Sequence, residues 1–437
     1  MISNLKSTLR LGDTPRLALV GAGGKTTALF HLAREYGSPV IVANTAHMEI
    51  WQLALADRHF YCLDSQMPRL PEQMSGVTLL TGARNSRSVA GLGAAHIQSV
   101  LTLANEKQMP LLIEADGSRR HPVKAPADHE PPIPEFVDIV VVTVGLSALG
   151  RALTNEWVHR AKIFSALSGS PDGSPISIET VRRVLCHPSG GLKNIHKDSR
   201  RVVLLNQADT PYLRIKAGIM ASDLLKTYQA VIVTTLLKKG ELAHGDNPIQ
   251  AMRRIMPEIH AVYQPVAGII LADCDSSSMD QPKLLRTHQG EPFIRSMANT
   301  ALEAGLSPVL IVTGGYNDHE INAALENLQV QIISNPDWKA SQSSSVRAGI
   351  WALPGQTSAA VIFTGDQPYI PPGSLRVLVE THAQTQLPVI ALRNAEKGFN
   401  PVLFDRKMFP DLLELFDDTG MHQIFERYPP HYVIWED

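Results

Sequence analysis

The sequence predicts two α/β domains, residues 1–262 and 263–437, on three observations. An apolar run, Leu17-Ala18-Leu19-Val20, enters a glycine-rich turn, Gly21-Ala22-Gly23-Gly24-Lys25-Thr26-Thr27, and leaves as a helix-compatible stretch reaching Glu35. Short apolar runs then alternate with helix-length stretches as far as residues 231–235, read as the last strand of a parallel, helix-covered layer. Around residues 256–265 the pattern resets at a proline-flanked connection, and a wholly apolar strand opens at Val266 and runs to Ala272. At 437 residues the chain is also too long for one ordinary core.

The glycine turn is the strongest chemical signal. Glycines let backbone N–H groups turn onto an anion, and the following helix adds the partial positive charge of its N-terminus. Lys25 then reaches the outer phosphates and the Thr26 hydroxyl is placed for Mg²⁺, so Gly21, Gly23, Gly24, Lys25 and Thr26 are candidate nucleotide-binding residues of a P-loop-type sheet. The full pattern G-x-x-x-x-G-K-S/T needs glycine where Leu19 stands. What remains, G-x-G-G-K-T-T, is similar to the loops of Mur-type ligases.

The next strand, residues 39–43, ends in Asn44-Thr45, where Thr45 either faces the nucleotide or its metal or, with Asn44, caps the following helix. Residues 82–93 read as a mobile Gly/Ser/Arg-rich loop ahead of a helix through Ala104. Leu111-Leu112-Ile113 is an apolar strand ending in Glu114-Ala115-Asp116-Gly117, the acidic partner that a phosphate loop needs for a metal or a water. Glu114 and Asp116 share one face of a strand. Both belong to the candidate nucleotide site, Asp116 placed with Thr26 on the metal side, and the sequence alone does not choose between the two acids.

Residues 121–134 are too rich in proline for a regular helix and carry His121, Asp128, His129 and Glu130, which suits a second-substrate loop; no spacing among them matches a defined metal motif. A strand over residues 201–205 then leads into Asn206-Gln207-Ala208-Asp209, close to the N-K-x-D element by which GTP-binding proteins read guanine. A carboxylate at Asp209 can accept from guanine N1–H and the exocyclic amine, a donor pair adenine lacks, while Gln207 replaces the lysine that packs on the base. GTP or ATP is therefore expected here, with Asn206 and Asp209 on the base side.

Bulk properties narrow the classes. Hydrophobic residues make up 44% and charged residues 19%, and the formal net charge of −2 gives no electrostatic case for nucleic acid or an anionic membrane as partner. Cys62, Cys186 and Cys274 are far apart and form no C-x-x-C pair, which fits a reducing cytoplasm. The first fifteen residues lack the apolar core of a signal peptide, and the longest apolar run, residues 137–146, is half a membrane span. A cytoplasmic protein is expected.

Four stretches together carry a resemblance. Val20-Gly-Ala-Gly-Gly-Lys-Thr-Thr27, Glu114-Ala-Asp-Gly-Ser118, the proline-rich segment from Lys124 to Pro134, and Val144-Gly-Leu-Ser-Ala-Leu-Gly-Arg-Ala-Leu153 with Val158-His-Arg160 look like YqeC-type proteins, over about residues 10–250. These are accessory proteins of selenium-dependent molybdenum hydroxylases. The resemblance implies nucleotide binding, a role in maturing molybdenum enzymes and an apo-molybdenum hydroxylase as partner.

From residue 264 onward the chain resembles MobA-like nucleotidyltransferases, in particular the molybdenum cofactor cytidylyltransferases, through Met279-Asp-Gln-Pro-Lys-Leu-Leu285, Asn335-Pro-Asp-Trp338, Ser343-Ser-Ser-Val-Arg-Ala-Gly349, Phe363-Thr-Gly-Asp-Gln-Pro368, Gly398-Phe-Asn-Pro401 and Asp417-Asp-Thr-Gly420. The implied fold is Rossmann-like, and the implied reaction joins CTP or GTP to molybdopterin. The pterin phosphate attacks the α-phosphate and pyrophosphate leaves, chemistry that needs charge neutralisation by Mg²⁺ and positioning more than a nucleophile. Lys283 matches the lysine near the triphosphate and Asp366 the metal-binding aspartate, which makes both catalytic candidates. Ser344 and Arg347 would line the nucleotide or pterin side, with Asn400 and Asp417 or Asp418 on the far wall, Asp418 as a second metal candidate.

The first loop departs from that family. Where it has Leu-Ala-Ala-Gly-x-Ser-x-Arg-Met-Gly-x-x-Lys, this chain has Cys274, Ser278 and Asp280 at Gly, Arg and the second Gly, and it adds Asp273 and Asp275. Each close like-charge contact with a polyanion costs about 1 kcal/mol or more in a partly screened site. The later Gly-Ala-Arg element reads Gly420-Met421-His422. Two functions stay open: a maturation protein whose second half is a nucleotidyltransferase, or a non-catalytic carrier of the molybdenum cofactor with a degenerate transferase domain. A ligase or kinase is a third reading of the glycine turn.

Overall fold

The computed structural model describes residues 4–63, 67–237, 249–250, 255–272, 283–288, 290–314, 318–365, 370–393, 401–416 and 420–435. The chain divides into two compact units, Ile2–Tyr263 and Gln264–Asp437. Both are mixed α/β and sheet-rich, and no described helix is long and apolar enough to cross a membrane.

In chain order the strands of the first unit are β1 (Arg16–Gly21), β2 (Val40–Asn44), β3 (Met48–Glu49), β4 (Arg58–Tyr61), β5 (Val77–Thr81), β6 (Ser88–Val89), β7 (Leu111–Glu114), β8 (Val123–Lys124), β9 (Ile139–Gly145), β10 (Val158–His159), β11 (Arg200–Asn206), β12 (Ala230–Thr235) and β13 (Glu258–Tyr263). Nine of them form one sheet in the order β13-β12-β11-β9-β1-β7-β2-β5-β4. All of its pairings are parallel except β12 with β13.

The central strands are apolar on both faces because helices cover both. On β1, Leu17 and Leu19 pack with α2 (Lys25–Arg34), whose Leu29, Phe30 and Leu32 are buried, while Ala18 and Val20 join the core on the other face with α3 (Ala94–Glu106), α4 (Ala161–Ser168) and α5 (Ile178–Cys186). The β-branched run of β9 is buried between β1 and β11. After β11, α6 (Pro211–Leu224) starts at Thr210, whose side chain accepts from Leu213 N–H, with proline at the first turn.

Register sets the functional edge. Asn44 lies opposite Glu114, Leu19 opposite Glu114, Gly21 opposite Thr143, and Asn206 opposite Gly145. The carboxyl ends of β2, β7, β1, β9 and β11 therefore fall on one line, the edge at which parallel α/β sheets hold ligands.

Two expectations are corrected. The sheet does not end at residues 231–235, because Glu258–Tyr263 returns as an antiparallel edge strand on β12. Pro257 and Pro265 had marked a connection, but they lie outside the ladder, where missing N–H groups cost nothing, and leave a strand between them. Residues 82–93, expected as a mobile loop, contain β6, which pairs antiparallel with β3, and Arg84 bridges Val89.

The second unit has β14 (Val266–Ala272), a short hairpin of β15 (Thr287–His288) and β16 (Glu291–Pro292), then β17 (Val309–Thr313), β18 (Gln331–Ser334), β19 (Ala359–Thr364), β20 (Val389–Arg393), β21 (Val402–Asp405) and β22 (His431–Ile434). Its sheet runs β18-β17-β14-β19-β21-β20-β22, with β21 antiparallel to both neighbours. The fully buried β14 is an interior strand with a parallel neighbour on each side, as its apolar sequence requires.

Candidate functional site

The glycine turn joins β1 to α2, and its shape is dictated by the protein's own close contacts. Gly23 has φ +79° and a Cβ there would lie 2.3 Å from Gly145 N; Gly24, which caps α2, has φ +128° and a Cβ would lie 2.3 Å from Asn206 Nδ2. No side chain fits either position. The N–H groups of Gly21, Ala22 and Gly23 donate to Asp116 Oδ2 (3.0 Å), Thr143 O (2.8 Å) and His121 O (3.1 Å). The donors left to face an anion are thus those of the first turn of α2.

Two side-chain pairs sit beside the turn, one an ion pair and one a hydroxyl with a carboxylate. Lys25 is 3% exposed; its Nζ donates to Gly21 O at 2.6 Å and lies 3.2 Å from Asp116 Oδ1. The Thr26 hydroxyl meets Glu114 Oε2 at 2.9 Å and Oε1 at 3.1 Å, and accepts from Gln52 Nε2 at 3.1 Å. Burial pushes the Glu114 carboxyl up, opposed by Lys25 and the Thr26 hydroxyl and reinforced by Asp116. The two acids, indistinguishable by sequence, are thereby separated: Glu114 stands with Thr26, whereas Asp116, expected beside Thr26, is held between lysines.

The second of those lysines was not anticipated. Lys124 Nζ bonds Asp116 Oδ2 at 2.9 Å, Gly117 O at 2.7 Å and Glu130 Oε2 at 2.8 Å, and Arg160 clasps both Glu130 oxygens at 2.7 and 2.8 Å. Although burial works against it, hydrogen bonds from Arg160 and Lys124 hold the Glu130 carboxyl at about 2. Lys25, Asp116, Lys124, Glu130 and Arg160 make one alternating, mostly buried chain from the glycine turn to the start of α4. Lys124 and Arg160 belong to two of the stretches that carried the YqeC resemblance, yet no local spacing pairs residues 36 apart.

Asn206 is 4% exposed and braces the turn: its Nδ2 donates to Gly23 O at 2.7 Å and its Oδ1 accepts from Leu236 N–H at 3.0 Å. Three residues on, Asp209 Oδ1 is buried with no hydrogen-bond partner among the described residues. Gln207 turns away through positive φ (+62°) and accepts from Ser147 Oγ at 2.6 Å. Thr45 caps no helix; its N–H donates to Glu114 O and its hydroxyl to Pro132 O. In the proline-rich loop, both His121 ring nitrogens face carbonyls, Ser118 O and Asn155 O, while Asp128 and His129 are exposed. Among the described residues no group of three or more His, Cys, Asp or Glu side chains is arranged to hold a metal ion.

Of the candidates in the second unit, Ser344 and Arg347 are described. Ser344 is 4% exposed in the first turn of the helix Gln342–Trp351, its hydroxyl donating to Ser341 O and Asp337 O and accepting from Asn335 Nδ2 at 2.8 Å, with Ser345 bonded to the same amide. Arg347 donates to Leu415 O and stacks over Phe416, 5.5 Å from the ring centroid. Asp366, Asn400, Asp417, Asp418 and the loop 273–282 lie outside the described residues, as does the side chain of Lys283, whose backbone opens a short 3₁₀ turn.

Fold and site together define a two-part α/β protein whose second part is of the nucleotidyltransferase type: residues 268–432 match the family of the MobA-like NTP transferase domain. Residues 17–162 match the YqeC protein family, and the protein YqeC of Escherichia coli (strain K12) is 30% identical over 226 residues, covering 49% of this chain and 82% of that protein. The chain belongs to the YqeC family, fused to a MobA-like domain. The bifunctional protein GlmU of Clavibacter sepedonicus is 30% identical over 124 residues, 28% of this chain and 25% of its own length. Among solved structures, Rv0371c of Mycobacterium tuberculosis H37Rv (21% identity, 40% of this chain, 89% of that one, TM-score 0.36) and a nucleotidyl transferase from Methanothermobacter (22%, 40%, 88%, TM-score 0.35) are similar.

Proposed function

We propose that this chain is a cytoplasmic maturation protein for molybdenum hydroxylases, which binds a nucleoside triphosphate at Gly21–Thr27 and, in its second half, transfers a nucleotidyl group from CTP or GTP to molybdopterin. The observation that carries the first part is the pairing of Lys25 with Asp116 and of Thr26 with Glu114 at a turn braced by Asn206. On this reading Lys25 leaves Asp116 for the phosphates, and Asp116 keeps Lys124 and the Gly21 N–H. Thr26 and Glu114 are a hydroxyl and a carboxylate already converged, a donor set that suits Mg²⁺, which takes one or two carboxylates plus phosphate oxygens. When bound there the ion supplies neutralisation of phosphate charge. The unpartnered Asp209 oxygen supports guanine over adenine, because it offers an acceptor to the donors guanine alone presents.

Calorimetric titration of the whole chain with GTP and ATP plus Mg²⁺ tests this. Wild type should bind, GTP more tightly, and Lys25→Ala should abolish binding by the first half; unchanged binding in that variant would remove the foundation of the reading. In the second half, attack by the pterin phosphate on the α-phosphate would expel pyrophosphate, with Lys283, Asp366 and Asp418 as the proposed triphosphate and metal residues and Ser344, Arg347 and Asn400 along the walls.

The aspartates at 273, 275 and 280, where a polyanion would have to enter, favour a second reading in which that half carries the cofactor without transferring to it. Pyrophosphate release from CTP or GTP plus molybdopterin separates the two. Release supports the transferase, and tight pterin binding without release supports the carrier.

A further inference from the structure

The segment Ser118–His121 is bonded directly to the glycine turn, since His121 O accepts the Gly23 N–H at 3.1 Å. It closes on itself through His121 N–H and Nδ1, both 3.0 Å from Ser118 O. Between these anchors Arg119 and Arg120 both hold positive φ, +48° and +63°. Two successive non-glycine residues in that region are uncommon, and such residues collect where the placement of a side chain matters.

The two arginines are exposed and differently engaged. Arg120 donates to both oxygens of Glu49 and lies over the Trp51 ring, 5.9 Å from its centroid. Glu49 caps the 3₁₀ turn Ile50–Leu55, and that turn carries the Gln52 bonded to Thr26. Arg120 therefore ties the segment to the Thr26 and Glu114 end of the site. Arg119 has no hydrogen-bond or ion-pair partner among the described residues.

Around the segment Lys25, Lys124, Arg160 and Arg120 stand against Asp116, Glu130, Glu114 and Glu49, an even balance that leaves Arg119 without an opposing carboxylate among the described residues. His159, stacked on His121 at 5.7 Å between centroids, is driven down to about 4 by burial and by Arg160, Lys124 and Arg119, against the pull of Glu130. An unpaired guanidinium on a segment bonded to the glycine turn suits a dianionic phosphate, which a guanidinium binds through paired N–H groups.

We propose that the Ser118–His121 segment is the subsite for the terminal phosphate of the bound nucleoside triphosphate, with Arg119 as its direct ligand and Arg120 as the positioning residue that holds the segment to Glu49. This rests on the reading of Gly21–Thr27 as the nucleotide site. It makes the protein a sensor of the terminal phosphate, binding triphosphate in preference to diphosphate through a residue that diphosphate does not reach.

The test is calorimetry of the full chain with GTP, GDP, ATP and ADP, each with Mg²⁺, for wild type, Arg119→Gln and Arg119→Lys. Arg119→Gln should weaken the preferred triphosphate about tenfold or more and leave the matching diphosphate within about twofold, and Arg119→Lys should recover part of the loss. Equal weakening of both nucleotides, or no change in either, overturns the proposal while leaving the nucleotide site standing. Wild type that binds none of the four overturns both.

Discussion

Asp116→Asn is the sharpest probe of the buried charge chain. The carboxylate is 2% exposed and faces Lys25 Nζ at 3.2 Å, Lys124 Nζ at 2.9 Å and the Gly21 N–H at 3.0 Å. Asparagine keeps the shape and one acceptor, but it removes the charge between two ammonium groups and turns an N–H₂ toward one of them. Breaking a buried ion pair costs about 3–5 kcal/mol. Lys124 retains Glu130 and Gly117 O, and Lys25 retains Gly21 O, so the lower end, about 3 kcal/mol, is expected.

That is roughly a hundredfold in an opening equilibrium. Hydrogen exchange followed by mass spectrometry reads it in the right unit: amides of β1 and β9 should exchange about a hundredfold faster, and those of β14 should not change. Lys124→Met placed on Asp116→Asn should recover part of the loss, because it removes a cation left in surplus, whereas Lys124→Met alone should destabilise. Exchange in Asp116→Asn within threefold of wild type, or strict additivity of the two changes, would refute the coupled chain.

Further outcomes follow from the same contacts. Asn206→Ala leaves Gly23 O and Leu236 N–H buried and unpaired, at about 1–3 kcal/mol for each; urea unfolding should show the loss, and nucleotide affinity should fall as the turn loosens. His159, held down at about 4 against an ordinary 6.5, gains its proton on unfolding, so its contribution to stability is full above about pH 6.5 and fades as pH falls toward 4. Thermal melts between pH 7 and 4 should show that slope, and His159→Gln should flatten it. Glu130 adds a separate decline, present above about 4.5 and lost through about 2. Leu29→Ala, at a fully buried position of α2, should cost about 2–5 kcal/mol by chemical denaturation.

Local pattern carried much of this protein. Val266–Ala272 is the strand its uninterrupted apolar sequence implies, and Arg16–Gly21 runs into Lys25–Arg34 through a turn whose glycines foretell a backbone that no side chain permits. The strand ending at Glu114 and the strand ending at Asn206 are equally local, since each is a run of apolar residues that stops at polar ones. The edge strand Glu258–Tyr263 was hidden by its flanking prolines, because its pairing with β12 is made across 22 or more intervening residues.

Residue types and their order along the chain belong to the sequence: a glycine turn with lysine and threonine, one acid ending a strand and another two residues beyond it, an amide and a carboxylate after another. Which acid meets which cation was decided only in three dimensions. Glu114 goes to Thr26 and Asp116 to Lys25 and Lys124 because parallel register sets the ends of β1, β7 and β9 side by side, and because the proline-rich loop folds Lys124 back over them. Charge pairing depends on distances between side chains far apart in the chain, and such distances exist only once the sheet has closed.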